Sequence, residues 1–363
     1  MSDPFDELAM RAATLIDRLA GGGRDDEGRD ALLLDLARAQ AEVVAPYRRL
    51  VASRGVALED AGTVDAVPAL PTDVFRFARV SRFDESETQR VFRTSGTTHG
   101  ARGEHHFRDL SLYDRAARAA ARRGLFRDDL ERHLIILAPH PSEAPDSSLS
   151  YMLGRFESWF GEGRSTWAFQ DGALDLPALE AALEGAIAAS QPVALLGTSF
   201  AFVHADDALE GRDYALPESS FVMQTGGFKG RSREVAPEAM RNMLAKRYGV
   251  AESAVVAEYG MTELSSQMYE TTLHRPDEAR RLWVPGWVRA TPVDPESLEP
   301  VARGEVGILR IDDVANVDTV AAIQTADLAQ RVEDGIVLIG RAPGTVPRGC
   351  SLAMDEALGD PRP

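Results

Sequence analysis

The chain has 363 residues, 44% of them hydrophobic and 27% charged, with a formal net charge of −17 and a single cysteine. That length and balance predict a soluble globular protein of one large domain or two ordinary ones. The acidic charge argues against general affinity for nucleic acid or an anionic membrane, and the lone cysteine excludes an internal disulfide. No apolar run approaches the roughly eighteen residues of a membrane span. The acidic start MSDPFDELAM lacks the order of a signal peptide, so a cytoplasmic protein is expected.

The first 55 residues read as helix, with Leu8, Ala12, Ile16 and Leu19 on one face and GGGRDDEG as a break. Prolines at 68 and 71 mark either an ordered connection or a short helix starting at Thr72 or Asp73. From about residue 90, strand-like runs alternate with helices. HLIILAP and PVALLGTSFAFV read as strands buried on both faces, and DLPALEAALEGAIAAS reads as a helix with Asp175 as its N-cap. SSFVMQTGG and AVVAEYGMTE repeat the pattern around the helix APEAMRNMLAKRYG, which predicts an α/β sheet with ligand loops at its strand ends. After residue 283 the proline-rich, strand-like text predicts a β-rich subdomain. The expected division is a helical segment at 1–80, an α/β core at 81–283, a β-rich part at 284–341 and a tail at 342–363 bearing Cys350.

Four stretches can carry chemistry. In VFRTSGTTHGARG, the small residues Thr94, Ser95, Gly96, Thr97 and Thr98 offer backbone N–H groups and hydroxyls to an anion. In QTGGFKGR, Gly226 and Gly227 permit a flat ring to approach the backbone beside Phe228, with Lys229 adding positive charge. In EYGMTE, Tyr259 offers a stacking face, Thr262 a hydroxyl and Glu263 a hard carboxylate suited to Mg²⁺, with Gly260 and Met261 between. In QTADLA, Asp327 in a short loop can accept hydrogen bonds from ribose. Taken singly, each is also an ordinary turn. There is no G-x-x-x-x-G-K-[ST], no G-x-G-x-x-G and no G-x-S-x-G around Ser95. His105 and His106 are adjacent on a strand and so face opposite sides, which argues against a shared metal.

The order TSGTT, TGG, YGMTE, TADL and IGR resembles the adenylate-forming superfamily of acyl-CoA synthetases and adenylation domains. Within it the chain is similar to the acyl-protein synthetase (LuxE) family, on QTGGFKGR, EYGMTELSSQMY, GTSFAFVH and RGCSL. The resemblance implies an adenylate-forming α/β core with a small β-rich subdomain, the mobile C-terminal domain being absent or vestigial because 22 residues follow Arg341. It implies ATP wrapped by residues 94–98, with Arg102 standing in for the usual lysine, adenine at 226–228, Mg²⁺ at Glu263 and ribose at Asp327. His140, Gly197, Thr198 and Phe200 would border the acid. Glu263, Lys229, the hinge residue Arg341 and Cys350 make up the implied catalytic set.

The implied reaction joins a fatty acid to AMP with release of pyrophosphate. The acyl group then passes to the Cys350 thiol, on a tail free to swing at Gly344 and Gly349, and on to a partner such as an acyl reductase or carrier protein. Two other readings stay open at this point. One is a ligase loading CoA or a separate carrier, similar to phenylacetate-CoA ligases or phenazine-biosynthesis adenylating enzymes. The other is a non-catalytic nucleotide- or acyl-binding subunit.

Overall fold

The computed structural model describes residues 3–95, 101–226, 235–342 and 348–359, with 348–351 described by backbone alone. Three helices come first: α1 (Pro4–Leu19), α2 (Asp26–Val43) and α3 (Ala45–Ser53). Asp3 and Asp25 cap the first two by accepting from the Phe5 and Gly28 amides. The strand β1 (Leu70–Pro71) leads into a 3-10 turn, Thr72–Arg76, and then the hairpin β2 (Arg90–Arg93) and β3 (Glu104–Phe107). Next come α4 (Ser111–Gly124), β4 (His133–Leu137), α5 (Ser148–Phe160), β5 (Ser165–Trp167) and the small hairpin β6 (Phe169–Gln170) and β7 (Ala173–Leu174). After them follow α6 (Leu176–Ala188), β8 (Val193–Thr198), α7 (Ser199–Ala208), β9 (Phe221–Thr225), α8 (Pro237–Tyr248), β10 (Val255–Tyr259) and β11 (Met268–Glu270). The chain continues through β12 (Leu282–Trp283), β13 (Val288–Val293), β14 (Val306–Asp313), β15 (Ala322–Val332) and β16 (Gly335–Arg341) to α9 (Arg348–Leu358).

Contacts group the chain into two compact units. One holds Met1–Ala120, Met261–Gln267 and Arg281–Pro363; the other holds Ala121–Gly260 and Met268–Arg280.

In the second unit β10, β9, β8, β4 and β5 run parallel in that order, with β11 antiparallel on the β10 edge. The apolar runs of β4, β8 and β9 are covered on both faces, as a parallel sheet requires. On one side Leu179 and Leu183 of α6, Phe202 of α7 and Leu244 and Tyr248 of α8 form the core. On the other, Phe126 stacks on Phe160 at 4.2 Å and meets Phe156 and Phe221 edge-on. Gly197 lies across from Leu137 in the β4–β8 pair, where a Cβ would come within 2.8 Å of the Leu137 Cβ.

In the first unit β13, β14, β15, β16 and β12 form an antiparallel sheet, and β1 adds parallel to β15. Gln40 of α2 ties the helices to this sheet's loops. Its amide donates to the Asn316 carbonyl at 2.8 Å and accepts from the Ala321 amide at 2.9 Å.

Three expectations change. PVALLGTSFAFV is half strand and half helix, because the Thr198 hydroxyl accepts from the Ala201 amide and starts α7. Asp327 lies inside β15 and not in a loop, because TADL continues the ladder opposite β16. The segment bearing Cys350 is not a free tail: residues 348–358 form α9, which includes Gly349 and packs on α3. Its buried Ala353 and Ala357 supply an apolar stripe at helical spacing. Gly344 lies outside the described residues.

Candidate active site

The loop of the first stretch hangs from the β2–β3 hairpin. The Thr94 amide donates to the Gly103 carbonyl, and the Gly103 amide donates back to the Thr94 hydroxyl, both at 2.9 Å. Arg102 closes the same neck, its Nε donating to the Thr94 carbonyl at 2.6 Å and its terminal nitrogen to the Arg93 carbonyl at 3.3 Å. Arg76 adds a bond from Nε to the Ala101 carbonyl at 3.1 Å. Ser95 is exposed at the mouth, and Gly96, Thr97 and Thr98 lie outside the described residues.

Glu263 is buried at this neck. A Cβ at Gly103 would sit 3.4 Å from its Oε1 and 3.1 Å from the Thr94 methyl, so the absent side chain lets carboxylate and threonine share the space. Three buried side chains fix the backbone here. His105 Nδ1–H donates to the Thr262 carbonyl at 2.8 Å, while its Nε2 accepts from Thr319 at 3.3 Å. Burial holds the His105 pKa down to about 3, against the raising effect of the Thr262 bond, so the ring is neutral. The Asn316 amide donates to the Glu263 carbonyl at 2.9 Å. Asp313 accepts from the Ser265 amide at 3.2 Å, the Ser266 hydroxyl at 2.8 Å and the Ala315 amide at 2.9 Å. Trp287 then donates to Ser266 at 3.0 Å. Burial pushes Asp313 up to about 6, with those hydrogen bonds holding it lower.

The same unit carries Asp327 and Arg341, which face each other across β15 and β16 with Nε 3.7 Å from the carboxylate. Cys350 is the third residue of α9.

In the other unit the chain passes from β4 to β5 on one side and later returns to β8 on the other side of β4, so a crevice is expected between β4 and β8 at their carboxyl ends. His140 follows β4, and its ring meets Trp167 edge-on at 4.9 Å. Thr198 ends β8 and Phe200 follows in α7, with the Thr198 hydroxyl accepting in the α7 cap and Gly197 serving close strand packing. Gly226 ends β9 at φ +71°, a conformation glycine adopts freely. The Ser199 hydroxyl bonds to the Gln224 side chain and lies 2.9 Å from the Gly226 carbonyl. Beside it the Thr225 hydroxyl donates to the Glu258 carboxylate, whose pKa burial pushes up to about 7. Gly227, Phe228 and Lys229 lie outside the described residues. Tyr259 and Gly260 end the first segment of this unit, and Met261, Thr262 and Glu263 open the other's central segment.

The acyl-protein synthetase (LuxE) family model matches residues 24–359. The chain belongs to that family. Among curated relatives, the long-chain-fatty-acid–luciferin-component ligase of Vibrio harveyi is 20% identical, aligned over 86% of this chain and 83% of its own. The ligase of the same name from Aliivibrio fischeri is 23% identical over 82% and 80%. Solved structures share the fold. A 2-hydroxyisobutyryl-CoA ligase with its acyl-adenylate superposes with a TM-score of 0.60 at 15% identity, covering 88% of this chain and 69% of that one. ATP-bound MatB from Rhodopseudomonas palustris gives 0.50 at 16% identity over 72% and 49%. The fold is thus the α/β core of adenylate-forming ligases.

Membership sharpens which side chains sequence reading missed. His105, Asp313 and Asn316 brace the Glu263 stretch, and Ser199 and Glu258 hold Thr225 and Gly226 at the end of β9. They come from distant parts of the chain, and only the hairpin and the loop after β14 bring the first three together.

Among the described residues no group of three or more His, Cys, Asp or Glu side chains is placed to hold a metal. A single carboxylate such as Glu263 is the kind of donor that a hard divalent ion accepts when phosphate and water supply its remaining oxygens, as with Mg²⁺. No helix among the described residues is long and apolar enough to cross a membrane.

Proposed function

We propose that the protein activates a fatty acid with ATP and moves the acyl group to its own Cys350. A carboxylate oxygen of the acid attacks the α-phosphorus, the bond from that phosphorus to the bridging oxygen breaks, and pyrophosphate leaves. The thiolate sulfur of Cys350 then bonds to the acyl carbon, the mixed-anhydride C–O bond breaks, and AMP leaves with the electron pair. The thiol proton goes to solvent. Cys350 lies in the first turn of α9.

The observation that carries this reading is the neck formed by Thr94 and Gly103 with Glu263 beside it. The loop of residues 94–98 would receive the phosphates on its N–H groups and hydroxyls, and Arg102 keeps positive charge at its base. Glu263 would hold Mg²⁺, which supplies charge neutralisation on the phosphates when bound. Asp327, steadied by Arg341, would take the ribose hydroxyls, and residues 226–228 with Tyr259 the adenine. His140 and Phe200, just beyond the carboxyl ends of β4 and β8, would border the acid, and Lys229 would add positive charge by the adenine loop. The names of the two ligase relatives favour a long-chain acid, and an acyl reductase or carrier protein would receive the acyl group.

ATP–pyrophosphate exchange across a panel of acids, with and without CoA, tests this reading. Exchange driven by long-chain acids and indifferent to CoA supports it. Turnover that requires added CoA, with Cys350→Ser fully active, would move the acceptor to CoA, and nucleotide binding without exchange would mark a non-catalytic subunit.

A further inference from the structure

The helix that carries Cys350 is held at its far end by α3. Arg49 donates from Nε to the Ala357 carbonyl at 2.6 Å, a C-terminal carbonyl of α9 that has no partner within the helix. Arg54 pairs with Glu356 at 2.6 Å, a carboxylate only 13% exposed. Ala353 and Ala357 are buried on the same side. The helix also packs against β1 and the turn Thr72–Arg76. That turn ends in Arg76, which donates to Ala101 at the neck of the phosphate loop. One continuous stretch, residues 70–76, therefore touches both the Cys350 helix and the loop neck.

We infer that α3 is the docking platform of the acyl-acceptor helix, with Arg49 and Arg54 as positioning residues for the transfer step. This rests on the reading of Cys350 as acceptor. A docked helix gives the thiol a fixed address in the unit that also holds Thr94 and Glu263, whereas an undocked one leaves a thiol that is merely tethered. Orientation of that kind acts on transfer and not on formation of the acyl-adenylate. Among the described residues neither arginine bonds to a residue assigned to nucleotide, metal or acid.

The test measures pyrophosphate exchange and single-turnover thioester formation side by side on the full chain. Arg49→Ala and Arg54→Ala are expected to keep exchange within about twofold of wild type and to slow thioester formation by about tenfold or more. Arg54→Glu should show the same split, and adding Glu356→Arg should restore transfer to within about threefold by re-forming the pair in reverse. Thioester formation at the wild-type rate in all three single variants overturns the inference. So does a parallel fall in both rates that the reversed pair does not repair. If Cys350→Ser still takes up acyl label as fast as wild type, the acceptor reading fails and takes the inference with it. Loss of label in Cys350→Ser with unaffected arginine variants sinks the inference alone.

Discussion

Asp313 supplies two oxygens to three buried donors, and Asn316 ties the Glu263 carbonyl from the same loop. Replacing one of those oxygens by an amide leaves a buried donor facing a donor. Asp313→Asn should therefore cost about 1–3 kcal/mol of stability by urea titration. It should also raise the Mg²⁺ concentration needed for half-maximal exchange, with the KM for the acid unchanged. Glu263→Gln keeps the shape and removes the charge, so exchange should fall by about a hundredfold or more. Glu258 gives a prediction with a definite sign. Its folded pKa of about 7 lies above the ordinary 4.5, so the folded state binds the proton more tightly than the unfolded one. The protein then loses stability from this group as pH rises through the window between those values, on the order of 3 kcal/mol. Glu258→Gln should remove that pH dependence, so the wild-type-minus-variant stability difference should fall as pH rises over that window. An unchanged difference in denaturant midpoints between pH 4.5 and 7.5 would remove the argument for a buried, proton-retaining carboxyl.

At the scale of elements, strand β8 passes so close to β4 that Gly197→Ala would bring a Cβ within 2.9 Å of the Leu137 carbonyl oxygen. A loss of about 1–3 kcal/mol in thermal or urea unfolding is expected from that overpacking. The α6 cap at Asp175 and the continuous strands β4, β9 and β10 were legible from local pattern, because capping and two-sided burial each leave a mark within a few residues. The start of α7 was not, since its cap Thr198 stands inside an unbroken apolar run and only the bond to Ala201 turns strand into helix. Asp327 looked like a loop residue because TADL is small and polar. Its strand state comes from β16, whose Arg341 lies opposite it. The motif residues themselves could be picked out in order along the chain, but their supports could not. The braces of Glu263 come from β3 and the loop after β14, and nothing local in HHF or DDVAN announces a shared target.

For the whole molecule, the family match runs from just before α2 through both units to α9, so the docking of the last helix on α3 lies within the family's span. An acyl-adenylate analogue that cannot transfer its acyl group should stabilise the folded protein. At a hundredfold excess over its Kd the gain is about 2.7 kcal/mol, read as a rise in Tm, and a flat Tm would argue against an adenylate site. The central claim is that activation and acceptance occur on one chain. It is tested most directly by incubating the protein with ATP, Mg²⁺ and a labelled long-chain fatty acid, followed by mass spectrometry of the C-terminal peptide. The predicted result is an ATP-dependent acyl mass on Cys350, absent in Cys350→Ser, which still forms acyl-AMP. Acyl-AMP accumulating in wild type with Cys350 unmodified, or label elsewhere on both proteins, would contradict it.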